Sequence, residues 1–386
     1  MAQKTDTPST TTRRSGPRAA NAVDFWRGYA LIAIFINHVP GIYYARFTHT
    51  NISISDSADL FVFLAGWSLR IIVGLGDRHT PTRHIVLRVC GRALTIYAAQ
   101  VMITMVAIAM LAATALILRN PLLLEWHNAA AVFQDPVPAH IGLAFITHQL
   151  GYFDILPLYV ALMLMAPAIV VIDRFAPNFV LPISLALYTV VLAVPIPIPT
   201  WPVDGQWFFN PLAWQLIFVL GFVMAKPDAG VGAFVRQHMF WVRCVAVPIV
   251  IIGLIIVLLD WWPDPTKMPR PRLFFIAEKT YLTPLRLIQF LSVAAVFSLL
   301  YPTIRRLAAP LTDFLSMLGR NSLEVFCMGS LLSLSGQIVR FITKGNIGID
   351  TGVVIVGVAI MALTAWLAEW RERARGQASA RSQPSS

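Results

Sequence analysis

Ten apolar runs of about twenty residues decide what this chain can fold into, because that length lets an α-helix cross the hydrocarbon core of a bilayer. They lie near 25–42, 58–76, 87–118, 152–172, 179–197, 209–225, 241–262, 282–302, 311–334 and 351–370. Composition agrees. Of 386 residues, 57% are hydrophobic and 13% charged, with a mean hydropathy of +0.68, whereas an ordinary soluble domain is about 25% charged. The expected fold class is all-α: a polytopic integral membrane helix bundle of about ten transmembrane helices. Pro157, Pro167, Pro182 and Pro211 interrupt the fourth to sixth segments, which packed membrane helices tolerate.

The net charge of +11 is distributed between the apolar runs. That pattern favours a lipid bilayer as partner and excludes nucleic acid. With the N-terminus inside, nineteen Lys and Arg residues fall on the cytoplasmic side and eight outside, while Arg70, Arg286 and Arg320 fall within spans. The excess predicts an even number of crossings and two cytoplasmic termini. Residues 1–21 are expected to be a disordered basic cytoplasmic tail, 22–370 the transmembrane domain, and 371–386 a second disordered tail. The first 20 residues are Ser/Thr/Arg-rich with no apolar core, so no removable signal peptide is expected. Cys90, Cys244 and Cys327 are isolated in or beside apolar runs. They read as buried small hydrophobes, with no disulfide framework and no metal site expected.

The first apolar run, "DFWRGYALIAIFINH", places Arg27 near one end and His38 at the other. Eleven residues give about 16 Å of rise and a rotation within ~20° of three full turns, so both side chains share one helix face. An ionisable group within the membrane normally faces the protein interior or a wet cavity. One stripe with Arg27 inside and Asn37–His38 outside therefore suggests a polar channel. Singly, Arg27 also reads as a snorkelling anchor paired with Asp24, and His38 as a helix-end hydrogen-bonding residue. Asp56 and Asp59 open the second helix near the depth of His38. They read either as helix N-terminal acids or as the carboxylate that supports a histidine base.

The spacing Arg, ten residues, His resembles the signature of the membrane acyltransferase-3 superfamily. The blocks "INHVPGIYYARFTHTNISISDSADLFVFLAG", "GYFDILPLYVALMLMAP", "FNPLAWQLIFVLGF", "KTYLTPLRLIQFL" and "LGRNSLEVFCMGSLLSLSGQ" resemble the OpgC family, across about 22–370. One departure is Ala65-Gly66, where related sequences often read Ser-Gly. The resemblance implies a bacterial inner-membrane enzyme that moves a succinyl or similar acyl group from cytoplasmic acyl-CoA to hydroxyls of a periplasmic glucan. No cofactor is expected beyond acyl-CoA as donor substrate.

On that reading His38 is the general base, supported by Asp59, and Arg27 with Arg88 and Arg92 binds the donor's phosphates. Arg286, Asp154, Trp214 and Asn37 are candidates for holding the acyl group or the acceptor, with Tyr159, Asn210 and Gln215 nearby in sequence. Arg286 alternatively pairs with a structural acid such as Glu324. No strong nucleophile motif is visible, which favours direct transfer. The alternative is a transporter or flippase for a glycan or lipid-linked sugar, using the same polar stripe.

Overall fold

The computed structural model describes residues 19–74, 80–227 and 229–381. The basic tail expected at 1–21 lies almost wholly outside these residues, as do Lys4, Arg13, Arg14, Arg18 and Arg78. Among the described residues the chain is helical and has no strand beyond one isolated bridge, Pro199 to Gln206.

The helices begin with α1 (Ala22–Asn37), α2 (Ser57–Gly74), α3 (Thr82–Leu118), α4 (Ala130–Gln134) and α5 (Pro136–Ala144). Then come α6 (Ile155–Phe175), α7 (Val180–Ala193), α8 (Pro211–Met224), α9 (Gly230–Gln237) and α10 (Met239–Leu258). The last are α11 (Pro284–Phe297), α12 (Leu300–Leu307), α13 (Ala309–Arg320), α14 (Ser322–Thr343) and α15 (Ile347–Arg381). A helix occupies each of the ten expected segments, but among the described residues six are long and apolar enough to cross a membrane, or seven if the bent pair α11–α12 counts as one. The shortfall has local causes. Helices α1, α7 and α8 have only 14 to 16 residues. The expected span 311–334 is two helices, because Asn321 (φ −102, ψ 40) breaks it, and the second of them, α14, is still one of the six.

Helix α3 runs 37 residues, about 55 Å, well beyond the ~30 Å hydrocarbon core. Its excess lies at the Arg83–Arg92 end. Helix α15 continues to Arg381, past the point where a disordered tail is expected. Helix α10 is peripheral, with Phe240, Trp241, Val245, Ile252 and Leu258 exposed. Such a surface suits lipid, on a helix whose backbone bonds are satisfied internally. Cys90 and Cys244 are exposed and only Cys327 is buried, so the expectation of three buried thiols holds for one.

The core is assembled at two reciprocal glycine crossings. Helix α13 packs antiparallel on α1, where a Cβ at Gly28 would overlap the Leu315 carbonyl and one at Gly319 the Asp24 carbonyl. Helix α8 crosses α2 in the same way, with Gly66 on the Phe218 carbonyl and Gly221 on that of Phe63. Membrane helices have no hydrophobic force between them, so close backbone approach at small residues carries the association. Gly319→Ala is expected to destabilise the protein by at least about 1–3 kcal/mol through overpacking against backbone. Gly91→Ala, where a Cβ meets nothing within 4 Å, should leave the melting temperature unchanged or higher. Equal melting of the two variants would refute the crossing as a packing determinant.

Candidate functional site: two cavities on one set of helices

At one end of the bundle a cavity of about 600 Å³ lies between the end of α1, the starts of α2 and α6, and the loops 148–154 and 200–209. His38 and Asn37 line it, as do Asp56, Tyr152, Asp154 and Lys279. His38 is the residue that ends α1, its N–H bonding the Ile34 carbonyl at 3.0 Å and the next N–H, that of Val39, bonding the Ile36 carbonyl at 3.1 Å. The Tyr152 ring lies 5.0 Å from its ring. Its Nδ1 is buried and has no hydrogen-bond partner among the described residues. Asn37 donates to Thr50 Oγ1 and accepts from Thr48 Oγ1, both at 2.9 Å. It ties the following loop to α1. Asp154 precedes α6, and burial pushes its carboxyl up to about 6 against the pull of Lys279.

Asp59 does not support His38 directly. It is completely buried, and both its oxygens accept from Arg286, at 3.1 Å from Nε and 2.6 Å from Nη2. Its Oδ2 also accepts from the Asp56 N–H. Arg286 in turn is not free to hold an acyl group. Its Nη1 donates to the Ile54 carbonyl and its Nη2 contacts Asp56 at 2.9 Å. A guanidinium within the bundle has found its carboxylates across 227 residues of chain, which is how such groups persist in membranes. Glu324, the sequence's alternative partner, is exposed in the first turn of α14.

Asp56, unlike Asp59, shares the cavity with His38. Its carboxylate is 2.5 Å from Lys279 Nζ. Burial opposes its ionisation, but Arg286 and Lys279 outweigh that and hold it well below the usual carboxylate range. Trp214 is fully buried and lines neither cavity; its Nε1 donates to the Lys279 carbonyl at 3.0 Å and so fixes that lysine's backbone. Asn210 and Gln215 are also buried supports, bonded to Ile196 and Ser184.

At the other end of the same helices lies a second cavity of about 320 Å³, lined by Arg27, Arg92 and Arg320 with Asp24, Ser68 and Tyr159. Arg27 joins three helices. It donates to the Gly319 and Leu64 carbonyls at 3.2 Å each, bonds Ser68 Oγ, and pairs with Asp24 at 3.5 Å. Arg320 pairs with Glu369 at 2.7 Å. Arg92 is exposed at this cavity. Arg88, one turn earlier on α3, is exposed but lines neither cavity.

The cavities follow one another along the same helices. On α2, Ala58 lines the first and Phe61 the second; on α6, Ile155 lines the first and Tyr159 the second. Between them Phe61 packs on Tyr159 and Phe326, with ring centroids 6.2 and 5.4 Å apart. The structure thus places Arg27 and His38 in different chambers on one helix, separated by an aromatic layer.

Lys279, Gln337, His127 and Tyr152 were not singled out by sequence. The available signal was their position, since each polar group sits at the edge of an apolar run or in the loop beside one. The chain matches the family model described as OpgC protein over residues 19–373 and belongs to that family. No curated protein matches it significantly in sequence.

Proposed function

We propose that this OpgC-family chain is a membrane O-acyltransferase that moves a succinyl or similar acyl group from cytoplasmic acyl-CoA to a hydroxyl of a periplasmic glucan. The observation that carries the reading is the pair of chambers on α1, α2 and α6, one lined by arginines and the other by an unpartnered histidine. The arginine chamber faces the cytoplasm of a bacterial inner membrane and takes the CoA phosphates. The acyl-pantetheine chain passes the aromatic layer, and the glucan enters the His38 chamber.

His38 takes the proton from the acceptor hydroxyl as its oxygen attacks the thioester carbonyl. The C–S bond then breaks, and the departing CoA thiolate recovers that proton from the imidazolium. Asp154 and Lys279 line the acceptor side. Asp59 and Arg286 hold the start of α2, and with it Asp56, in place. Arg27 supplies fixed positive charge, while the exposed Arg92 is the better direct phosphate ligand because its donors are not committed to carbonyls of neighbouring helices. The aromatic layer weighs against the transporter alternative, since a sugar ring would have to displace Phe61, Tyr159 and Phe326.

The test is the purified protein with succinyl-CoA and a β-glucan, read by the mass of the glucan. A succinyl increment supports the reading, and none with any acyl-CoA sinks it. In the active preparation, Arg92→Gln should raise the KM for acyl-CoA about tenfold, as for loss of one charge-assisted phosphate bond, with kcat unchanged. An unchanged KM would remove Arg92 from the donor site.

A further inference from the structure

We infer that Gln337 is a positioning residue for His38, holding the end of α1 by its carbonyl and locking it to His127 on the other side. For its effect on catalysis the inference rests on the transferase reading above.

A helix ends with four carbonyls that have no partner within the helix. Two carbonyls at the end of α1 are satisfied by one face of α14. Ser333 Oγ shares its one proton between the Phe35 carbonyl at 3.0 Å and the Gly329 carbonyl of its own helix at 2.9 Å, and Gln337 Nε2 donates to the His38 carbonyl at 2.7 Å. The spacing of four along α14 fixes both height and rotation of the α1 terminus. The other end of the Gln337 amide lies 2.8 Å from His127 Nε2. The His38 carbonyl only accepts, so the NH2 must face it and Oε1 must face His127. His127 Nε2 therefore carries the proton.

The arrangement closes on itself. The Tyr152 ring lies 5.4 Å from His127 and 5.0 Å from His38. His127, Asn128 and Tyr152 all adopt left-handed backbone conformations, with φ of 59, 63 and 63, which non-glycine residues rarely do. The Gly151 N–H bonds the His127 carbonyl at 3.2 Å and joins the two strained segments. Strain of this kind persists only where the surroundings over-determine it, and it clusters at active sites. Here it surrounds the histidine whose Nδ1 has no partner among the described residues. Hydrogen bonds to the backbone thus set the ring's place and leave its nitrogens uncommitted.

The experiment compares wild type with Gln337→Met, which keeps the length of the side chain and removes both hydrogen bonds. In acyl transfer from succinyl-CoA to a β-glucan, kcat should fall about 100-fold, the cost of a displacement of about 1 Å at the reacting group. Both KM values should stay within about twofold. His127→Phe should act through the same link, so the double variant is no worse than the poorer single one. An unchanged kcat, a loss carried by KM, or additive losses would overturn the inference. A second measurement needs no turnover: diethylpyrocarbonate modification of His38, followed by peptide mass spectrometry. Gln337→Met should modify several-fold faster than wild type, and an equal rate overturns the inference. If wild type transfers no acyl group but the modification rate still rises, the transferase reading fails and the positioning role stands.

Discussion

His38→Ala is expected to reduce glucan acylation by about 10²–10⁴-fold, the usual contribution of a general base, while the protein still reaches the membrane and keeps its fold. The second half of that expectation follows from the contacts. The bonds that anchor this end of α1 are made by the His38 backbone and by Phe35, not by the imidazole. Truncating the ring enlarges a cavity that already exists and gives up one ring contact, that with Tyr152, so it removes chemistry at little cost in packing. The assay is mass spectrometry of periplasmic glucans from a deletion strain complemented with either gene, with matched membrane levels. Full acylation by the alanine variant would exclude His38 from the mechanism.

Arg286→Met is expected to produce the opposite phenotype, a protein that fails before it can be assayed. The substitution leaves Asp59 fully buried and ionisable opposite an apolar side chain, and removing one member of a buried pair costs about 3–5 kcal/mol. Asp56 and the Ile54 carbonyl lose the same partner. Membrane yield and melting temperature should both drop sharply. Arg286→Met combined with Asp59→Leu should recover part of the loss, because two apolar partners leave neither charge stranded and Lys279 still holds Asp56. A single variant that melts with wild type would show that the pair is not an anchor.

How much of this was legible in the sequence depends on the distance over which each feature acts. Helical class and the common face of Arg27 and His38 are properties of one segment, and the 3.6-residue period reveals them directly. The same period places the two residues at opposite ends of α1, where the two chambers lie. Asp59 is different. Its position at the start of an apolar run says that it needs a partner but not which one, and helix-start geometry cannot identify Arg286 at a separation of 227 residues. Trp214 stands with Asn210 and Gln215 at the start of an apolar run, a position that suggests the acceptor side of the bundle. Its burial under Lys279 depends on how α8 packs, which no local pattern carries. Gln337 was hidden for the same reason, since its role lies in meeting the end of another helix.

The layer formed by Phe61, Tyr159 and Phe326 is also an electrical insulator. With the orientation proposed above and water in both chambers, a transmembrane voltage would fall mainly across these few side chains rather than across the full thickness of lipid. A charge crossing that layer would traverse most of the potential in a few ångströms, at about 2.3 kcal/mol per 100 mV. The field there is correspondingly steep, and in a cell that is negative inside it drives anions outward. On the proposed transferase reading, a succinyl group passing from the arginine chamber to the His38 chamber would carry its free carboxylate in that direction, and the membrane potential would pull the donor toward the acceptor.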